Sequence, residues 1–222
     1  MPRHARVVVP GMPHHVTQRG NYQQRVFRSP GDYRVYCRLV NEHAARHDLN
    51  VLAYCLMPNH VHFVVVPGDA SSMARTFHAV SMRHSQILNR KNDVKGHLWQ
   101  GRYFSCVMDE GHLYMAIRYV ERNPVRAGLV SVPWAYRWSS ARAHTGIAPP
   151  EVALTDVTGL LLPGNWRTYL VSDDSELAER IRVRTRRGLA IGSERFLRLL
   201  ERQIGRPLSV RRRGRPRGAG AP

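Results

Sequence analysis

Two apolar runs separated by a two-residue break constrain this chain more than any other stretch. Asn50 to Met57 (NVLAYCLM) and His60 to Val66 (HVHFVVV) both read as strands, with Pro58-Asn59 as a tight turn between them. They are expected to fold back on each other as a hairpin. Successive side chains of a strand alternate between faces, so His60 and His62 share one face while Val61, Phe63 and Val65 take the other.

The flanking segments complete a domain around that hairpin. His15 to Arg19 (HVTQR) is strand-like and runs into a turn at Gly20-Asn21. Ser29-Pro30 opens a helix from Gly31 to His47, in which Val35, Tyr36, Leu39 and Val40 keep helical spacing. Ser71 or Ser72 caps a helix reaching Arg90. Tyr103 to Met108 (YFSCVM) reads as a strand, and Asp109 caps a helix from Glu110 to Asn123 that Pro124 stops. The order β-α-β-β-α-β-α predicts an α+β domain: a ferredoxin-like split βαβ antiparallel sheet with helices on one face and one extra helix. WAYRWSSARAHT, up to Thr145, reads as a loop and short helix packed on it.

The texture changes after Gly146, and Ala148-Pro149-Pro150 looks like a boundary. The reading is a catalytic domain over 1–147, a helical accessory region over 148–205 and a disordered basic tail over 206–222. Two helices are expected in the accessory region, Ser172 to Arg187 and Ser193 to Ile204. The tail, GRPLSVRRRGRPRGAGAP, is low in complexity and rich in arginine.

Charge narrows the partner. The formal net charge is +18 and the sequence pI is about 11.1. A field of that sign and size suits a polyanion, nucleic acid before an anionic membrane surface. Lysine occurs only at Lys91 and Lys95, and arginine forks match phosphates and guanine edges. Codon bias in a GC-rich genome is the other source of that preference, but it does not explain the net charge. Cys37, Cys55 and Cys106 are odd in number and widely spaced, so buried core thiols in a reducing cytosol are expected. No run approaches a membrane span, and MPRHARVVVPGMP has too short an apolar stretch for a signal peptide. A cytoplasmic, nucleoid-associated protein is expected, with no membrane partner and no small-molecule substrate.

His60 and His62 on one strand face form a natural pair of metal ligands. Two strand histidines without a metal are the plain alternative. In YVERNPVRAGLV, Tyr119 and Asn123 lie four residues apart, stacked beside the apolar stripe of Leu113, Ala116, Ile117 and Val120. Asn123 falls in the last helical turn, where its amide oxygen and the negative helix end favour a cation. A boundary aromatic and a simple helix stop are the plain alternatives there. Taken together, a cation held by His60, His62 and Asn123 would lie beside the Tyr119 hydroxyl. Tyrosine, with a pKa of about 10, is a poor nucleophile at neutral pH. A divalent cation can polarise a scissile phosphate and orient it for in-line attack. The product would be a 5′-phosphotyrosine and a free 3′ hydroxyl, with the bond energy kept for rejoining without ATP.

MPNHVHFVV followed by YVERNPVRAGLV resembles the single-tyrosine HUH transposases, with Val61 as the bulky central residue. Among these the chain is most similar to the REP-associated tyrosine transposases. PGMPHHVTQRGNYQQRVF and LWQGRYFS support the resemblance, which spans roughly residues 10 to 145. It implies a ferredoxin-like fold, Mg²⁺ or Mn²⁺ as cofactor, Tyr119 as nucleophile, and His60, His62 and Asn123 as ligands. Mobile-element relatives often carry Gln at the third ligand position; the shorter Asn123 implies a cation closer to the helix, or more water. The implied target is single-stranded DNA: a hairpin from a repetitive extragenic palindrome, with a tetranucleotide at its foot. The protein would be a monomer or homodimer.

Candidate DNA contacts are Arg19, Arg102, Arg118, Arg122 and Arg126 in the domain, and Arg211, Arg212, Arg213, Arg215 and Arg217 in the tail. Arg213-Gly214-Arg215-Pro216-Arg217 resembles an AT-hook core, which can lie in a narrow minor groove; a nonspecific basic arm is the alternative. Tyr22, Trp99 and Tyr103 are stacking candidates, core packing being the alternative for each, with stacking worth ~1–3 kcal/mol per base. Two other functions stay open: a hairpin-binding protein that has lost its chemistry, and a zinc protein in which His60 and His62 join Cys55 or another thiol.

Overall fold

Strands β2 (Leu49–Met57) and β3 (His60–Pro67) form the predicted hairpin. They pair antiparallel, with Met57 opposite His60 and Cys55 opposite His62. The computed structural model describes residues 6–155, 165–172 and 175–208. Around the hairpin lie β1 (His14–Arg19), α1 (Pro30–Arg46), α2 (Ser72–Lys91), β4 (Phe104–Met108), α3 (Leu113–Glu121) and α4 (Asn123–Arg126). The short α5 (Ala141–His144) and α6 (Trp166–Val171) come next, followed by α7 (Ser175–Arg187), β5 (Ala190–Ile191) and α8 (Glu194–Ile204).

The sheet order is β2-β3-β1-β4-β5. The first four strands are antiparallel throughout, the ferredoxin-like order expected from the sequence, and β5 adds a parallel edge along β4. The tail arginines 211, 212, 213, 215 and 217 lie outside the described residues.

Alternation along the strands sorts two cores. Val16, Leu56, Val61, Phe63 and Val65 pack with Tyr36, Val40, Phe77 and Val80 of α1 and α2. Ala53, Cys55, Met57, Val64, Cys106 and Met108 pack instead with Leu113, Ile117 and Val120 of α3, Leu170 of α6 and Ile181 of α7. The expectation of helices on one face thus covers only α1 and α2. Strands apolar on both sides need two covers, and α3, α6 and α7 supply the second. All three cysteines are free and buried. No helix among the described residues is long and apolar enough to cross a membrane.

Asp32 ties the two helices of the first layer. Its Oδ2 accepts from the backbone N–H of Arg28 and Ser29, at 2.8 and 2.9 Å, which caps α1 ahead of Pro30. Its Oδ1 accepts from Lys91 Nζ at the end of α2, at 2.6 Å. Burial alone would raise the carboxyl pKa, but Lys91 and the two backbone donors outweigh it and hold the pKa down at about 2. A depressed carboxyl pKa contributes stability that is present above the unfolded value and lost as pH falls through the folded one. Asp32→Asn is therefore expected to cost about 2 kcal/mol at pH 7. Urea unfolding should show the gap between the two proteins closing as pH falls from about 4 towards 2.

The helix expected over 110–123 is divided. A 3₁₀ turn (Glu110–His112) leads into α3, which ends at Glu121, and α4 starts again at Asn123 with Pro124 in its first turn. Pro124 has no N–H for the carbonyl four residues back. The Asn123 side chain compensates, its Nδ2 donating to the carbonyls of Tyr119 and Val120 at 3.0 and 3.2 Å. Pro124 therefore breaks and restarts the helix instead of ending it.

Candidate active site

The antiparallel register of β1 and β3 builds the floor of the site. Thr17 lies opposite His62 and Arg19 opposite His60, so all four share the face covered by α3 and α7. A cleft of about 480 Å³ opens there. His15, His60, His62, Tyr119, Asn123 and Arg186 are among its lining residues.

Both proposed histidine ligands have one ring nitrogen already engaged. His60 Nδ1 lies 2.6 Å from Asn59 Oδ1, and His62 Nδ1 lies 2.9 Å from His15 Nε2. Nε2 is the nitrogen each ring has left for the cleft. A metal-bound imidazole typically has its other nitrogen held in this way. Burial pushes the pKa of His60 down to about 4, helped by the guanidinium groups of Arg19 and Arg186. Burial also carries His62 well below its usual value, with His60 and His15 adding to the effect. Both rings are neutral at pH 7, the form that binds a cation. Because Asn123 Nδ2 is spent on backbone carbonyls, its Oδ1 remains as an acceptor. Two imidazole nitrogens and an amide oxygen fit Mg²⁺ or Mn²⁺ completed by water or phosphate oxygens.

They do not extend to a thiolate site. Cys55 is fully buried, and its Sγ lies 3.7 Å from Met57 Sδ. Burial pushes its pKa up, which keeps the thiol protonated. Among the described residues, no three His, Cys, Asp or Glu side chains come together as a metal-holding group.

Tyr119 reaches the cleft from α3. Its ring stands edge-on to both histidine rings, with centroids 5.3 Å from His15 and 5.7 Å from His62. The Arg126 guanidinium lies over its other side, 4.4 Å from the ring centroid, and donates to the Tyr119 carbonyl. Burial raises the Tyr119 pKa; Arg126, Arg182 and Arg186 pull the other way without reversing the shift. At rest it is a neutral phenol in a cationic surround.

The proposed DNA contacts separate. Arg19 lines the cleft, its Nη1 donating to Gln23 Oε1 at 3.2 Å. Arg118 and Arg122 turn towards α6: one donates to Ser172 Oγ at 2.7 Å, the other to the Leu170 carbonyl at 2.6 Å. Arg102 lies in a separate apolar groove along α2, together with Trp99 and Tyr103. Of the stacking candidates, Trp99 and Tyr103 are buried, whereas Tyr22 is 94% exposed. Tyr22 (φ 49°) and Gln23 (φ 60°) occupy the left-handed region, and Gln23 lines the cleft. A bulky residue held in that conformation points to a local function.

Sequence reasoning missed His15, Asn59, Arg182, Thr185 and Arg186 at this site. The strand reading did place His15 on β1, and alternation from Arg19 puts it on the face of the pair. No local pattern could have revealed Thr185 and Arg186, which are brought in by α7 from more than a hundred residues away. Glu121 was missed as well. It is fully buried and accepts from Ser140 Oγ at 2.5 Å, His144 Nδ1 at 2.7 Å and Trp166 Nε1 at 2.9 Å. It locks the end of α3, two residues past Tyr119, to α5 and α6.

Comparison with known proteins gives the family and the fold. A family model described as "Transposase IS200 like" matches residues 8–123. A solved structure of a REP-associated tyrosine transposase bound to a REP hairpin superposes with a TM-score of 0.55 at 17% identity, covering 71% of this chain and 93% of that one. At that identity the likeness speaks to fold. A proposed transposase from Deinococcus radiodurans, also 17% identical, covers 55% of this chain and 97% of that one with a TM-score of 0.38, too low to support an argument. No curated protein matches the chain.

Proposed function

The chain belongs to the IS200-like transposase family, and from that premise we propose that it cuts and rejoins single-stranded hairpin DNA through Tyr119. The observation that carries this reading is the convergence, in one cleft of one chain, of the Tyr119 ring with the paired imidazoles of His60 and His62.

In the proposed reaction the Tyr119 oxygen attacks the scissile phosphorus in line. A 5′-phosphotyrosine bond forms as the bond to the 3′ oxygen breaks, and the phenol proton leaves for solvent or the departing oxygen. The reverse attack by a 3′ hydroxyl rejoins the strand. His60 Nε2, His62 Nε2 and Asn123 Oδ1 would hold Mg²⁺ or Mn²⁺, which when bound polarises the phosphate and steadies the charge on the departing oxygen. Arg19, Arg182 and Arg186 line the same cleft and would bind the flanking phosphates. The basic tail from residue 206 would add sequence-independent affinity. A REP-type hairpin is the proposed substrate, by analogy with the ligand of the structure of similar fold.

A covalent-capture assay tests the reading. The protein is incubated with labelled single-stranded hairpins from palindromes flanking its own gene, with Mn²⁺ or Mg²⁺, and run on a denaturing gel. A labelled adduct that disappears with chelator is expected. Tight binding with no adduct or cut product would leave only a hairpin-binding protein.

Tyr22 supplies a separate prediction. A base stacked on its exposed ring would contribute ~1–3 kcal/mol, so Tyr22→Ala should weaken binding to unpaired flanks about 5- to 150-fold. Anisotropy titrations should show a much smaller change for a fully paired duplex. Equal losses on both substrates would remove Tyr22 from base contact.

A further inference from the structure

His15 has no part in the reaction as described, yet it is fully buried beside it. Its ring lies edge to edge with that of His62 and nearly coplanar, with centroids 5.2 Å apart and planes 14° apart. Nε2 of His15 meets His62 Nδ1 at 2.9 Å, and on the other side its Nδ1 meets Thr185 Oγ1 of α7 at 2.8 Å. Thr185 is itself buried.

A chain of two neutral imidazoles and a hydroxyl has two proton arrangements. In one, His62 Nδ1–H donates to His15 Nε2, and His15 Nδ1–H donates to the Thr185 oxygen. His62 Nε2 is then a bare lone pair facing the cleft. In the other, every donor is reversed, and His62 Nε2 carries a hydrogen and cannot ligate a cation. The Thr185 hydroxyl is compatible with the first, because its oxygen can accept from His15 Nδ1–H while its own hydrogen turns elsewhere.

We propose that His15 and Thr185 form a positioning relay that holds His62 as the Nδ1–H tautomer, presenting Nε2 to the cation. The relay rests on the reading of His62 as a ligand. It also gives α7 a role: this helix lies beyond the residues 8–123 that match the family, yet supplies the anchor of the ligand set. His15 and Thr185 act through His62 and are positioning residues.

Mn²⁺ binding to the full chain, without DNA, separates this relay from the function it serves. Titration calorimetry measures affinity, and long-range ¹H–¹⁵N correlation spectra of the imidazoles report the His62 tautomer. His15→Leu removes the acceptor and is expected to weaken Mn²⁺ binding by about 10- to 100-fold, the usual effect of losing the group that orients a ligand. His15→Gln returns an acceptor to that position and should recover most of the affinity. Thr185→Val keeps shape and burial but deletes the hydroxyl. It should weaken binding severalfold and mix the His62 tautomers, while Thr185→Ser behaves as wild type. If His15→Leu fails to fold, the valine–serine pair at Thr185 carries the test.

Folded Leu and Val variants with wild-type affinity and an unchanged His62 tautomer would overturn the relay. Wild-type protein that binds no Mn²⁺ would overturn the ligand reading itself, before any variant is compared.

Discussion

Tyr119→Phe should abolish the covalent protein–DNA adduct and leave hairpin binding within about twofold of wild type. The substitution removes one oxygen. Phe keeps the edge-on contacts with His15 and His62 and the guanidinium of Arg126 over its ring, so the fold has no reason to change. Among the described residues the cleft offers only weaker replacements: the rings of His60 and His62 are each held by a neighbour through Nδ1, Thr185 is engaged with His15, and the Thr17 hydroxyl is an aliphatic alcohol, far less acidic than a phenol. The expected loss of strand cleavage is therefore at least about 10⁴-fold, the scale seen when a covalent catalyst is deleted. Adduct yield on denaturing gels and hairpin affinity by anisotropy are the two readings. An adduct that survives the substitution would sink the assignment of Tyr119. Loss of binding together with the adduct would make Tyr119 a DNA contact.

The second large effect concerns stability. Glu121→Ala removes the acceptor shared by Ser140, His144 and Trp166 and leaves three buried donors without it. Breaking a buried, hydrogen-bonded pair on one side typically costs about 3–5 kcal/mol, a large share of a domain's stability. The urea midpoint should fall accordingly. Because Glu121 ends the helix that carries Tyr119, adduct yield should fall even where the variant remains folded.

His144 gives this cluster a pH signature. Burial pushes its pKa down, but the Glu121 carboxylate beside it pushes harder, and the net shift is upward. A raised histidine pKa contributes stability that is complete below the unfolded value near 6.5 and is lost as pH rises through the folded one. Wild-type stability should thus decline above pH 6.5 by an amount missing from His144→Gln. Parallel curves for the two proteins would remove His144 from the linkage.

The first four strands and the first two helices were legible from periodicity and punctuation, because alternation and helical spacing are local properties of the chain, and their succession pointed to the ferredoxin-like order; the two-residue β5 at the sheet edge was not legible. Pro124 was legible as an interruption, but its outcome was not. Whether a helix ends or restarts depends on what happens to the freed carbonyls, and the Asn123 side chain takes them. The arginines show the same limit. Arg19, Arg118 and Arg122 are alike in sequence, yet one lines the cleft while the other two brace α6.

The sequence by itself determined that two histidines share one strand face, that a tyrosine and an asparagine follow each other at one helical turn, and that the chain carries a strong positive charge. These follow from backbone geometry and composition alone. Tertiary structure decided which neighbours complete the site: that His15 stands behind His62, that α7 brings Thr185 and Arg186 to it from a distant segment, and that a buried Glu121 fixes the helix that carries Tyr119. Such contacts arise when the two apolar faces of the sheet are covered. The packing that covers them is set by the whole core and is written in no single stretch of the chain.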